Sequence, residues 1–218
     1  MTQTPGPDAE PRRLAELALA SGDPTAWFEP LYAAAEAGHA VVPWAGGKPS
    51  PELVTWAETA KHSPGRGAMV VGCGFGDDAE FVSALGYRTS GFDVSPSAIK
   101  AAKQLHPSSA VDYSAADLFA LPENWRHRFD LVVEIMTVQA LPRDVRAEAV
   151  ESVAGLVAEG GTLVIGAVAE EGIDEPWDGP PWPLTREDVE SFTEHGLRLS
   201  TLDRVRDGAR WWAEFRRP

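Results

Sequence analysis

The feature that most restricts this chain is Val70-Val71-Gly72-Cys73-Gly74-Phe75-Gly76, an apolar run that breaks into alternating glycines. The stretch Ala68-Met69-Val70-Val71 has no polar position, the pattern of a strand covered on both faces. From Asp77 to Leu85 the residues predict a helix. Strand, glycine turn and helix in that order open a doubly wound α/β sheet. Glycine lets the backbone turn sharply and come close to a ligand with no Cβ in the way. Plain packing of the turn is the other reading, but three glycines in five positions exceed what a tight turn requires.

The alternation then continues. Thr89–Asp93 predicts a second strand, Pro96–Leu105 a helix, Ala110–Tyr113 a weak third strand and Phe129–Glu134 a strong fourth. Arg143–Ala158 predicts a helix with Val145, Ala149, Val153 and Leu156 on one face, and Gly161–Gly166 a fifth strand. These spacings suit right-handed crossovers in a parallel sheet. After Gly166 the pattern changes to a Pro/Trp-rich loop over 171–184 and a helix capped by Thr185. Leu197–Val205 and Arg210–Phe215 then flank Asp207-Gly208, a hairpin signal that adds an antiparallel strand. Upstream, 1–10 is expected to be disordered. Segment 11–62 is expected to form a helical lid with a substrate and cofactor loop, with Asp23 and Ser50 as helix caps, and 63–218 to be the core domain.

Length and charge narrow the partners. A chain of 218 residues suits one α/β domain with a covering extension. A net charge of −14 repels phosphate backbones and anionic lipid, so neither nucleic acid nor a membrane is an expected partner. No apolar run approaches the roughly 20 residues of a membrane span, and the N-terminus lacks signal-peptide features, so a cytoplasmic location is expected. One cysteine excludes an internal disulfide and a thiolate zinc cluster, and no metal is expected. The oligomeric state stays open.

Two carboxylates follow the strands where open α/β sheets bind ligands. Asp93 closes the second strand and can accept from both hydroxyls of a ribose; capping of the next helix is its alternative role. Asp117 follows the third strand and can meet an adenine edge, with Leu118 and Phe119 lining the ring. The spacing G-x-G-x-G is not the G-x-G-x-x-G of dinucleotide binding, and no Tyr-x-x-x-Lys pair is present, which argues against an NAD(P)-dependent oxidoreductase.

Taken in order, Val71–Gly76, Gly91-Phe92-Asp93-Val94-Ser95, Ala116–Phe119, Phe129–Glu134 and Leu156–Leu163 resemble the class I S-adenosylmethionine-dependent methyltransferases. The resemblance implies a Rossmann-like, seven-stranded, mostly parallel sheet with an antiparallel last strand. It also implies S-adenosylmethionine as cofactor, S-adenosylhomocysteine as product and a small-molecule acceptor. Gly72, Cys73, Gly74, Gly76, Asp93, Val94, Asp117, Leu118, Phe119, Glu134 and Trp44 are the implied cofactor residues. Cys73 reads equally as a small buried filler, and Glu134 either as a partner for the sulfonium or as a structural carboxylate. Asp77 and Asp78 read as helix N-terminal charges, one of which could also help place the amino-acid end of the cofactor.

Two flanking segments, Val42–Leu53 and Asp178–Val189, resemble the thiopurine and thiol/halide methyltransferase branch. That branch often has Asp after the loop tryptophan, where this chain has Ala45. Trp27, Trp44, Trp177 and Trp182 could form a lid around the acceptor, and aromatic faces favour a sulfonium. Arg143 and Arg146 are candidates to meet an anionic acceptor. Trp44, Trp182 and Glu134 are the acceptor-pocket candidates. No histidine stands where it would be a general base, which favours S-methylation of a thiol. Small-molecule O- or N-methylation is the alternative. A non-catalytic cofactor-binding protein is a third possibility. A DNA-base amino methyltransferase is rejected, because the Pro-Pro-Trp run follows the fifth strand rather than the fourth.

Overall fold

The computed structural model describes residues 9–173 and 180–218. The elements run α1 (Ala9–Ser21), α2 (Phe28–Glu36), α3 (Pro51–Thr59), β1 (Gly67–Val71), α4 (Asp77–Ala84), β2 (Arg88–Asp93), α5 (Pro96–Leu105), β3 (Asp112–Ala115), β4 (Phe129–Ile135), α6 (Arg146–Leu156), β5 (Val157–Val168), α7 (Arg186–Glu190), β6 (Arg198–Val205) and β7 (Arg210–Arg216). The strands form one sheet in the order β3-β2-β1-β4-β5-β7-β6. Pairs among β1 to β5 are parallel, while β7 lies antiparallel to both β5 and β6. This is the expected seven-stranded, mostly parallel Rossmann-like sheet.

Alternation along β4 from Leu131 onward, after a register shift between Phe129 and Leu131, explains the layers. Leu131 and Val133 face a cluster with Leu53 of α3, Val82 of α4 and Ile99 of α5. Phe129 and Val132 face the opposite cluster, which α6 closes with Ala149, Val150 and Val153. The chain winds outward from β1 to β3 on one side and from β4 onward on the other. The order therefore reverses between β1 and β4, and a crevice opens at their carboxyl ends. Within the predicted lid segment, α1 and α2 pack over Ala98 of α5, with Trp27, Leu31 and Tyr32 buried between them. By contrast α3 lies on the sheet, where Trp56 Nε1 donates to Glu214 Oε2 of β7 at 2.9 Å.

Several boundaries differ from the sequence expectation. Helix α1 begins at Ala9, inside the predicted disordered stretch; residues 1–8 lie outside the described residues. Asp23 does not cap α2: its Oδ1 accepts from Thr25 N and Oγ1, closing a separate turn ahead of Phe28. Ser50 does not cap α3 with its side chain, because its N–H donates to Asp78 Oδ1 and its hydroxyl to Glu52. Thr185 does cap α7, in a reciprocal box with Asp188. Strand β3 starts two residues later than expected; Ala115 pairs with Asp93, which brings Asp117 beside the end of β2. Helix α6 gives way directly to β5, since Val157 already pairs with Phe129. Trp177 and Asp178-Gly179 lie outside the described residues.

Candidate functional site

The crevice takes in about 790 Å³ of space, open solvent included. Its floor is the glycine turn. Gly72 has φ +58°, and a Cβ there would run into Thr137 Oγ1 and Cγ2. Thr137 cannot retreat freely, because its hydroxyl donates to Val71 O at 3.1 Å and so ties the end of β1 to the turn after β4. Only a residue without a Cβ fits between them.

Asp93 is buried and lines the crevice. Its Oδ2 accepts from Gly74 N at 3.0 Å and its Oδ1 from Ser95 N at 2.9 Å, so it clamps the glycine turn to the turn after β2. Burial is the main cause pushing its pKa up to about 6, against the hydrogen bonds from Ser95 and Gly74. Helix capping falls instead to Ser95, whose hydroxyl accepts from Ala98 N. Val94, Asp117, Leu118 and Phe119 line the same wall, with Asp117 Oδ1 accepting from Phe119 N at 2.9 Å. Asp78, not Asp77, is the structurally engaged acid of α4. It accepts from Ser50 N at 2.6 Å, and burial pushes its pKa up to about 6. This bond anchors the loop that carries Trp44.

Of the remaining sequence candidates, Gly72 and Trp44 line the crevice, and Cys73, Gly74, Gly76, Glu134 and Trp182 do not. Gly74 and Gly76 lie within the turn, where added Cβ atoms would meet the hydroxyls of Tyr32 and Tyr113. Cys73 is a buried filler whose thiol pKa burial raises well above the usual range. Trp182 is held by its backbone, its N–H donating to Gln139 O at 2.6 Å, and its neighbour Pro181 forms the wall instead. Arg146 is buried and paired with Asp188 at 2.8 Å, while Arg143 pairs with Glu170 at 2.9 Å. Neither arginine lines the crevice.

Glu134 corrects the sequence expectation most clearly. It lies two residues after Val132 on β4, is buried, and is not among the residues that line the crevice. Its Oε1 accepts from Thr137 N at 2.8 Å and Val138 N at 3.0 Å, shaping the turn that follows β4. Its Oε2 is buried with no hydrogen-bond partner among the described residues, and burial pushes its pKa up to about 7. The folded protein thus holds a proton that the unfolded chain releases. Stability from this group is present at low pH and lost as pH rises from about 4.5 toward 7, by up to about 3 kcal/mol. Urea unfolding is expected to show higher stability at low pH than above neutrality, and Glu134→Gln should flatten that slope. An unchanged slope in the variant would assign it to Asp78 and Asp93.

The α2 wall and the turn after β4 carry no signal in the sequence. Thr25, Phe28, Tyr32, Met136, Thr137, Ala140 and Leu141 all line the crevice. Met136, at φ +68°, is a non-glycine residue in the left-handed region at the end of β4. No spacing rule announces such a residue.

Residues 69–163 match the family described as a methyltransferase domain. Over residues 69–163 the chain is similar to methyltransferase domains, and its seven-stranded sheet has the Rossmann-like fold. Among curated relatives, the ubiquinone biosynthesis O-methyltransferase of Burkholderia ambifaria is 29% identical over 157 residues, 71% of this chain and 57% of the relative. That of Burkholderia pseudomallei is 27% identical over 154 residues, 70% and 59%. The chain thus spans less than two thirds of the length of the curated relatives it matches. Among solved structures, a TehB-like SAM-dependent methyltransferase from Corynebacterium glutamicum has TM-score 0.62 and 20% identity over 95% of this chain and 100% of that one. A structure from work on conversion of a disulfide bond into a thioacetal group during echinomycin biosynthesis has TM-score 0.71 and 19% identity over 87% and 91%. These matches agree with the expected methyltransferase and its cofactor; the thiopurine and thiol branch is not among what they show. Among the described residues no helix is long and apolar enough to cross a membrane.

Proposed function

We propose that this protein transfers a methyl group from S-adenosylmethionine to the sulfur of a small, uncharged, largely apolar thiol. The observation that carries this is the crevice lining. Among the described residues it holds two carboxylates, Asp93 and Asp117, and no lysine, arginine, histidine or cysteine. The crevice fits the cofactor: the Gly72 cradle has no room for a Cβ, Asp93 can take the ribose hydroxyls, and Asp117, Leu118 and Phe119 can take the adenine. Bound there, the cofactor supplies an electrophilic methyl on a sulfonium, a charge favoured by the faces of Trp27 and Trp44.

The far end of the crevice, past Met136, is walled by Ala140, Leu141 and Pro181. Such a wall excludes water and selects an apolar acceptor. Among the described residues of the lining the carboxylates are Asp93 and Asp117, and this reading assigns both to the nucleoside, so the acceptor's nucleophile ionises by itself. A thiol does so to a few per cent near neutral pH, whereas an alcohol does not. With only carboxylates in the lining, the crevice also disfavours an anionic acceptor.

O-methylation of a phenol is the second reading, favoured by the names of the curated relatives. Benzenethiol, phenol and aniline share one ring and separate the readings. With S-adenosylmethionine present, mass spectrometry is expected to find the thioether as the main product. Anisole as the main product would make the protein an O-methyltransferase. Cofactor binding without turnover on any acceptor would favour a non-catalytic role.

A further inference from the structure

Five side chains lining the crevice carry a hydrogen-bond donor: Thr25, Trp27, Tyr32, Trp44 and Thr137. Three of these donors are already spent. Thr25 Oγ1 donates to Asp23 Oδ1 at 2.8 Å, Thr137 Oγ1 to Val71 O at 3.1 Å, and Trp44 Nε1 to Tyr32 Oη at 2.9 Å. The Tyr32 hydroxyl accepts from Trp44, but its own proton finds no acceptor among the described residues. The Trp27 indole N–H also finds none. Tyr32 is buried, at 3% exposure, and lines the crevice, so a molecule bound there is within reach as the acceptor.

Its position gives the unused proton a target. Tyr32 Oη lies 2.9 Å from where a Cβ on Gly74 would stand, directly over the glycine turn. Its ring is held edge-on by Phe75 at 5.2 Å and by Trp44 at 6.4 Å. If the ribose lies at Asp93 and the base at Asp117 to Phe119, the rest of the cofactor runs the other way, across Gly72 and Gly74. The carboxylate at that end would meet no cation among the described residues of the crevice lining. A fixed neutral donor is what remains for it.

We propose that the Tyr32 hydroxyl, oriented by the Trp44 indole, donates to the carboxylate at the amino-acid end of S-adenosylmethionine and its product. Tyr32 is then the residue through which α2 distinguishes the full cofactor from a nucleoside lacking that end. Burial and the nearby Asp93 hold the phenol well above its usual pKa, so it remains a donor at any working pH. This inference rests on the cofactor reading above.

The test compares two ligands by calorimetry: S-adenosylhomocysteine, and 5′-methylthioadenosine, which has the same nucleoside without the amino acid. Tyr32→Phe keeps the ring and removes the hydroxyl. It is expected to weaken S-adenosylhomocysteine about 10- to 100-fold, the range for a hydrogen bond to a charged group, and to leave 5′-methylthioadenosine within about twofold. Equal losses for the two ligands, or no loss for S-adenosylhomocysteine, would overturn the assignment. So would Trp27→Phe producing the selective loss in place of Tyr32→Phe. Wild-type protein that binds neither ligand would instead overturn the cofactor reading itself.

Discussion

Asp93→Ala is expected to weaken S-adenosylhomocysteine binding by about 100-fold or more, since hydrogen bonds to a charged group contribute about 1.5–3 kcal/mol each. Two effects combine. The ribose loses its acceptor, and the N–H groups of Gly74 and Ser95 lose the carboxylate that holds the two turns together. Asp93→Asn keeps one acceptor oxygen and should fall between wild type and alanine. The pH dependence has a definite sign. The ionised carboxylate is the better acceptor, and its pKa is pushed up to about 6, mainly by burial, with Glu29 nearby acting in the same direction. Wild-type affinity should therefore be flat above neutrality and fall as pH drops below about 6, whereas Asp93→Asn should lose that dependence. Calorimetric titration across this range measures both effects. Affinity unchanged in Asp93→Ala would mean that the ribose is held elsewhere.

The second large effect is expected at Gly72. An alanine there must adopt a φ of +58° and place its methyl against Thr137 Oγ1 and Cγ2. Left-handed backbone and overpacking each cost about 1–3 kcal/mol, so Gly72→Ala should lower unfolding stability by about 2–5 kcal/mol and impair cofactor binding. The clash depends on one partner. Thr137→Ala removes both atoms, and the double variant should regain part of the loss, a coupling that urea unfolding of the four proteins measures. Strict additivity would show that the two residues do not constrain each other.

The parallel half of the fold was legible because its signals are local. β1, β4 and the second half of β5 are short apolar runs, and Gly72, Gly74 and Gly76 mark the turn after the first of them. The hairpin and the Thr185 cap were readable for the same reason. Cofactor-side residues such as Asp93, Asp117 and Phe119 stand at strand ends, so their place in the crevice follows once the strands are known. The acceptor side did not yield in this way. Glu134 stands one residue before the end of β4, but its carboxylate accepts from Thr137 N and Val138 N, a turn that forms only after the strand is in place. Arg146 carries a charge that suggested a ligand, yet Asp188, 42 residues on, takes it. Tyr32 comes from a helix packed over α5, and its contact with Gly74 depends on tertiary packing that no local pattern encodes.

A crystal structure of the protein soaked with S-adenosylhomocysteine tests the assignment of the crevice most directly. Density is expected along the carboxyl ends of the parallel strands, with the sugar on Asp93, the purine against Leu118 and Phe119, and the thioether directed toward Met136. A crevice left empty at saturating ligand, or the nucleoside found at another surface, would contradict the account.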